Sequence, residues 1–405
     1  MERAGKASVG ALVLGGDVAA LGIVRSLGRH NIPVWVVDRQ SIAGLSRYCS
    51  HRISGWPDAE EAQQIEFLLQ IGRQHRLDGW VLFTTGDERS ALLARHRDLL
   101  NSQYRVAVSD WETMRWGYDK RLTYQLANNL GLSYPSTHYP TESERLRTLD
   151  CEFPVILKPA FKRDFNKFTK AKAWLARDRD ELLRRYDEAV KLVDPSIIMV
   201  QELISGGGEN QFSYAGLFEG GRPLASVVAQ RIRQYPVDFG RTSTFVETVQ
   251  STEMEEAAKL FLGHLRYSGI AEIEFKRDPR NGYKLLDFNP RFWWWHSLAG
   301  RAGVDFPYLL WRRILNEPIE QHRAHTGVKW VHLIYDLPAA AFEIRRGHLT
   351  VGRYLRSLIQ TSAFAVLAKD DLLPALLEIP LKLLSRSRAG FHTGQRSIPK
   401  FTPPA

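Results

Sequence analysis

The sequence is poor in residues that staple chains or ligate soft metals. Its 405 residues include two cysteines, Cys49 and Cys151, far apart and outside any CxxC pair. This excludes a disulfide framework and a thiolate zinc site, and the two read as free thiols in a reducing compartment. His322 and His325 lie three apart, but in a polar stretch past the expected end of a domain, so no metal site is expected there. No Ser-His or Cys-His arrangement points to a side-chain nucleophile. The chain also lacks an apolar span of about 18 residues or more, the length needed to cross a bilayer, and no cleavable leader opens it. A cytoplasmic protein is expected. Internal repeats and low-complexity tracts are missing as well.

What is present is an excess of positive charge, 55 Lys+Arg against 45 Asp+Glu for a net charge of +10. That excess favours an anionic partner: nucleotide phosphates, nucleic acid or an acidic membrane surface. An apolar content of 44% and a charged content of 25% are ordinary for a globular protein, and the length suits two or three domains.

From Gly10 the pattern is strand, glycine turn, helix, strand: "GALVLGG", "DVAALGIVRSLGRHN", "IPVWVVD". This β-α-β unit, continued by "DGWVLFTTGDE" and "RSALLARHRDLL", predicts an α/β domain with a parallel sheet over residues 1–112. Gly15, Gly16 and Gly22 do not fit G-x-G-x-x-G, so a structural turn is preferred to a nicotinamide or flavin site, although Asp38 ends the second strand where a ribose-binding acid could stand. A helix over "MRWGYDKRLTYQLANNLGL" and the proline-rich "SYPSTHYP" mark the first boundary. Then come the strand "FPVILKPAF", the basic stretch "FKRDFNKFTKAKAW", a helix and the strand "SIIMVQELI". Two hairpins follow, turning at Gly220-Gly221 and at Asn281-Gly282.

The second hairpin carries the chemistry. Glu272 and Glu274 share one face of its first strand, and Asp287 and Asn289 share one face of its partner. Carboxylates set opposite one another repel unless a cation lies between them. Glu274, Asp287 and Asn289 therefore suit one or two magnesium ions bridging phosphates. Pro290 ends the ladder, and Arg291 offers a fork of donors to a phosphoryl oxygen. Trp293, Trp294 and Trp295 read as core between domains, with the wall of an acceptor pocket as the alternative. In "QRIRQYPVDFGRTSTFVET", Arg231 and Arg233 are two apart and are expected on one strand face. Arg231 and Arg241 are the candidates for a substrate carboxylate or its phosphorylated form.

The order "VILKP", "VQELI", "EIEFK", "LLDFNPR" resembles the ATP-grasp superfamily, in particular the carboxylate-amine ligases related to the large subunit of carbamoyl phosphate synthetase. The resemblance covers residues of about 10 to 320. It implies an α/β (α+β) fold with a Rossmann-like domain at 1–112 and an ATP-grasp module at 113–322, whose lid lies near 150–200. A mainly helical extension would occupy 323–405. It also implies ATP with Mg2+, two ions or Mn2+ in their place, activation of a carboxylate as an acyl phosphate, and capture by an amine. Carried over, Lys120 and Lys158 would contact the phosphates, Glu202, Leu203 and Ile204 would form the adenine hinge, and Glu209 would hold the ribose. Glu274, Asp287 and Asn289 would be the metal ligands and Arg291 would stabilise the transferring phosphoryl group. Two departures stand out: the basic stretch has no glycine, leaving phosphate contacts to Lys167, Lys170 and Lys172, and Asp287 stands where glutamate is usual. Phe165, Phe168 and Trp174 interleave with those lysines, but lid packing is preferred and no nucleic acid is expected. Small-molecule carboxylate and amine partners, with a homodimer as an option, complete the expectation. The tail "DDLLPALLEIPLKLLSRSR" reads as a helix packed on the ATP domain, with peripheral membrane contact as the alternative. A nucleotide-binding regulatory protein without turnover and a Rossmann-type oxidoreductase are the rival functions.

Overall fold

The computed structural model describes residues 9–39, 41–161, 168, 173–238, 240, 242–280 and 282–389. Among the described residues the strands fall into three sheets, and the fold is α/β. The first sheet is parallel, in the order β3-β2-β1-β4-β5: β1 (Ala11–Leu14), β2 (Val34–Val37), β3 (His51–Ile53), β4 (Val81–Thr84) and β5 (Arg105–Val106). β1 and β4 are buried along their whole length, as parallel strands covered on both faces must be. Asp17 caps the helix Val18–Arg29 by accepting from the Ala20 amide at 2.9 Å. In the turn before it Gly15 has φ +138°, and a Cβ on Gly16 would strike the Asp38 carboxylate and Ser41. This close packing of Asp38 and Ser41 gives Gly16 a structural reason, as the turn reading expects.

The second sheet is antiparallel, in the order β6-β9-β7-β8: β6 (Thr137–His138), β7 (Val155–Pro159), β8 (Trp174–Ala176) and β9 (Ile198–Glu202). Alternation sends Val155 and Leu157 into a small core with Trp174, Leu182, Tyr186 and Val200, and Ile156 and Lys158 to the opposite face. The helix Arg179–Ala189, capped by Asp178, covers the core face.

The third sheet comprises β10 (Gln211–Glu219), β11 (Arg222–Tyr235), β12 (Thr242–Val249), β13 (Gly269–Asp278), β14 (Gly282–Asn289), β15 (His322–Arg323), β16 (Lys329–Val331) and β17 (Ala363–Phe364). Its order is β14-β13-β10-β11-β12-β16-β17, with β15 added in parallel beside β11. Gly220 and Gly221, at φ +55° and +84°, make the β10–β11 turn where the sequence places it. The C-terminal stretch contributes β16 and β17 to this sheet as well as three helices, Leu333–Arg345, Val351–Ile359 and Leu373–Ala389.

One hydrophobic core joins the first and third sheets. Ala11, Val13, Val34 and Phe83 share it with Ala215, Leu217, Trp293, Trp295 and Phe306. Trp293 is 1% exposed and Trp295 3%, so these two tryptophans are core between the sheets. Trp294 is partly buried and donates to His332 Nδ1 at 3.4 Å. His296 donates from Nε2 to the Ala19 carbonyl at 2.8 Å, and Gly22 is needed where the first helix passes this ring, since a Cβ there would strike it.

Candidate active site

The acidic hairpin pairs in the register the chemistry requires. Glu272 lies opposite Asn289 and Glu274 opposite Asp287, which brings three carboxylates and an amide onto one patch of a rigid ladder. A bulge between Glu274 and Phe275 leaves Leu286 out of the pairing, and the Leu286 carbonyl accepts from Tyr124 OH at 2.8 Å. Asn289 Nδ2 donates to Glu272 Oε2 at 3.1 Å and to Glu274 Oε1 at 3.0 Å. Burial first, and then the Glu274 charge, push the Glu272 carboxyl up to about 7.

Cations surround this patch. Lys120 begins the helix Lys120–Asn129 and pairs with Asp287. Burial pulls its ammonium down, but Asp287, Tyr124 and Glu274 outweigh that and leave it above its ordinary value. Lys158, on the outer face of β7, donates to Tyr124 OH at 3.2 Å. Arg291 is held by Asp87 of the first domain and donates from Nη2 to Asn289 Oδ1 at 3.3 Å. Arg231, 9% exposed, lies between Gln211, Gln234 at 3.3 Å and Glu274 at 3.7 Å.

The hinge residues lie at the end of β9. The Glu202 amide donates to the Ser136 carbonyl at 2.9 Å, and its carboxylate accepts from Ser136 N at 3.0 Å and from Lys284 Nζ at 2.6 Å. Lys284 also pairs with Asp278 at 3.1 Å. Leu203 and Ile204 follow, with Ile204 buried. Glu209 accepts from the Gly207 amide at 3.0 Å, and its neighbour Lys276 donates to the Gly206 carbonyl at 2.8 Å. A cleft of about 570 Å³ opens beside Glu202 and Lys284, lined also by Gln201, Val155, Cys151 and Arg280.

Arg233 departs from expectation. A register shift between Arg231 and Arg233 breaks their common face. Arg233 instead forms a buried bidentate pair with Asp336, at 2.9 and 2.8 Å. Its work is to fasten the helix Leu333–Arg345. Arg241 and Lys167, Lys170 and Lys172 lie outside the described residues. Tyr124, Lys284, Asp87 and the contact of Glu272 with Asn289 are features that the sequence did not single out.

This arrangement of a parallel sheet, a small antiparallel sheet and the acid-bearing sheet is similar to the folds of solved proteins. An L-amino acid ligase from Bacillus licheniformis superposes with a TM-score of 0.59 at 14% identity, covering 78% of this chain and 76% of that one. A biotin carboxylase from Campylobacter jejuni, solved as a nucleotide complex, superposes with a TM-score of 0.61 at 14% identity, covering 77% and 72%. This chain has the ATP-grasp fold. Among curated proteins, a D-aspartate ligase of Enterococcus faecium is 25% identical over 245 residues, 56% of this chain. That match spans 57% of the relative's length. No family model matches the chain.

Magnesium is the metal that this fold implies. Among the described residues no group of three or more His, Cys, Asp and Glu side chains is gathered around a metal position. The donors that are gathered, Glu274, Asp287 and the Asn289 amide, are hard oxygens suited to Mg2+. Glu272 and Glu274 are held close on one strand face, and the Glu274 charge adds to burial in raising the Glu272 carboxyl. The residues fit the ion.

Proposed function

We propose that the protein is an ATP-dependent ligase that activates a carboxylate as an acyl phosphate and joins it to an amine, releasing ADP and phosphate. The observation that carries this reading is the facing pair Glu274 and Asp287, with Asn289 beside them and Lys120, Arg231 and Arg291 around them. In this reading Lys120 and Lys158 neutralise the triphosphate, the Glu202–Ile204 segment receives adenine, and Glu209 the ribose. Glu274, Asp287 and Asn289 would hold one or two Mg2+ ions, or Mn2+, which when bound supply charge neutralisation between the phosphates. Arg291, braced by Asp87, would meet a phosphoryl oxygen and Arg231 the substrate carboxylate, a role the sequence also offers to Arg241.

The chemistry balances without a side-chain nucleophile. The substrate carboxylate oxygen attacks the γ-phosphorus and ADP leaves; the amine nitrogen attacks the acyl carbon, loses a proton and displaces phosphate. The chain's contribution is position and fixed charge. Two similar proteins are named for amino acids, D-aspartate and L-amino acids, which favours an amino acid or peptide as one of the pair. Need of ATP supports a cytoplasmic location. We take 1–112, 113–322 and 323–405 as the working domain limits, with the lid near 150–200.

The test is ADP and phosphate release from Mg-ATP with pooled carboxylates and amines, followed by mass spectrometry. Release that depends on one pool, with a product one water lighter than its two parts, is expected, and Asp287→Asn with Asn289→Ala should abolish it without changing the melting profile. Tight ATP binding without release under every pool would favour a regulatory protein. Release of AMP and pyrophosphate would remove the acyl phosphate.

A further inference from the structure

The C-terminal helices turn their apolar side chains outward. Most of the large apolar residues left exposed among the described residues lie between Leu337 and Leu383. From 372 to 383 every exposed residue is apolar: Leu372, Leu373, Leu376, Ile379, Pro380 and Leu383. The polar Glu378 of the same helix faces inward, where it accepts from His332 Nε2 at 2.6 Å. Helical spacing gathers the outward residues on one side. On the helix Val351–Ile359, Val351, Leu355 and Ile359 recur every fourth residue, and Ile359 is 84% exposed.

This inverted helix is fastened in place. Asp371, immediately before it, accepts from Arg25 Nε at 2.9 Å and from Ser46 Oγ at 2.7 Å, and Asp370 accepts from Arg29 Nε at 2.8 Å. With Glu378 also held, the start and middle of the helix are fixed by polar contacts while its apolar side faces solvent. A contiguous apolar face of this kind marks a surface that something covers.

Charge selects the covering. Arg353, Arg356 and Lys369 are exposed, and Arg386 and Arg388 follow in the sequence. The acids of the same stretch are engaged: Glu343 with His348, Asp370 with Arg29, Asp371 with Arg25 and Glu378 with His332. The charge left around the apolar face is basic. Two copies meeting through it would bring like charges together, whereas a bilayer rich in anionic lipid complements both the apolar stripe and its rim.

We propose that the outward apolar face of the helices Val351–Ile359 and Leu373–Ala389 docks on an anionic phospholipid surface, with the helices lying in the interface rather than crossing it. The proposal does not rest on the ligase reading. No helix among the described residues is long and apolar enough to span a membrane, so the contact is peripheral. The test is vesicle flotation of the full chain with phosphatidylcholine alone and with phosphatidylcholine mixed with phosphatidylglycerol. Binding to the mixed vesicles, weakened by salt, is expected. Leu376→Ser with Ile379→Ser should lower partitioning by about tenfold or more, since each exchange removes most of an apolar side chain from the lipid phase. Val351→Ser with Ile359→Ser on the other helix should do the same and guards against a folding defect in the first variant. Equal binding to both vesicle types, or to neither, would overturn the proposal. So would a wild-type dimer in sedimentation that these substitutions convert to monomer, because a second copy would then be the covering.

Discussion

The second sheet and the third, antiparallel from β14 to β16, both contribute charge to the candidate site, yet they are supported differently. The third sheet shares a core with the first, through Trp293, Trp295 and Phe306 against Val13 and Phe83. The second stands on a core of its own, Val155, Leu157, Trp174, Leu182 and Val200, and meets the rest through a small cluster of Ala160 and Met199 with Tyr124 and through polar links, Lys158 to Tyr124 and Glu202 to Lys284. Shared packing resists displacement, because interiors are dense and repack only at a cost. Polar links at a sheet edge exchange with water more cheaply. The comparison leads us to expect Glu274, Asp287, Asn289 and Arg291 on a fixed body, and Lys158 and Glu202 on a piece less firmly tied to it.

Substitutions sharpen that contrast. Trp293→Ala should be the most damaging, costing about 3–5 kcal/mol by opening a cavity in the shared core; in chemical denaturation the first and third sheets should lose stability together. Unchanged stability would mean that the two sheets do not share load. Lys284→Met comes next. It strands the Glu202 and Asp278 carboxylates, at roughly 3 kcal/mol for a pair broken from one side, and hydrogen exchange should rise in β9 and β6 while β1 and β4 stay protected. Uniform loss of protection would put the second sheet inside the fixed body.

A smaller effect is a pH slope. Burial lowers the His296 imidazole from 6.5 to about 4 in the folded protein. Below pH 6.5 the unfolded chain therefore takes up a proton that the folded one refuses, and stability falls as pH drops toward about 4. The steepest part should reach about 1.4 kcal/mol per pH unit. His296→Asn should flatten this slope in pH-dependent melting; an unaltered slope would assign it to other groups.

Much of this was legible in local pattern. The β-α-β opening, the turn at Gly220-Gly221 and the faces of β13 and β14 follow from period and turn residues alone, since each depends on neighbours a few positions away. Arg233 was misplaced because one bulge reverses a face, and period two cannot foresee it. Tyr124, Lys284 and Asp87 were missed for another reason. Their partners Leu286, Glu202 and Arg291 lie far along the chain, so only the tertiary fold brings them together. Gly22 did not fit a cofactor motif in the sequence, and the close approach of His296 supplies its structural reason.

Asp370 and Asp371 act beyond the helix that follows them. By gripping Arg25, Arg29 and Ser46 they return the late chain to the first helix, so the polypeptide closes on itself like a belt whose buckle lies near its end. Cutting the chain at residue 369 would therefore release the buckle as well as remove a tail. A transplant of the first domain onto another protein's ATP-binding sheet would have to bring these two aspartates along.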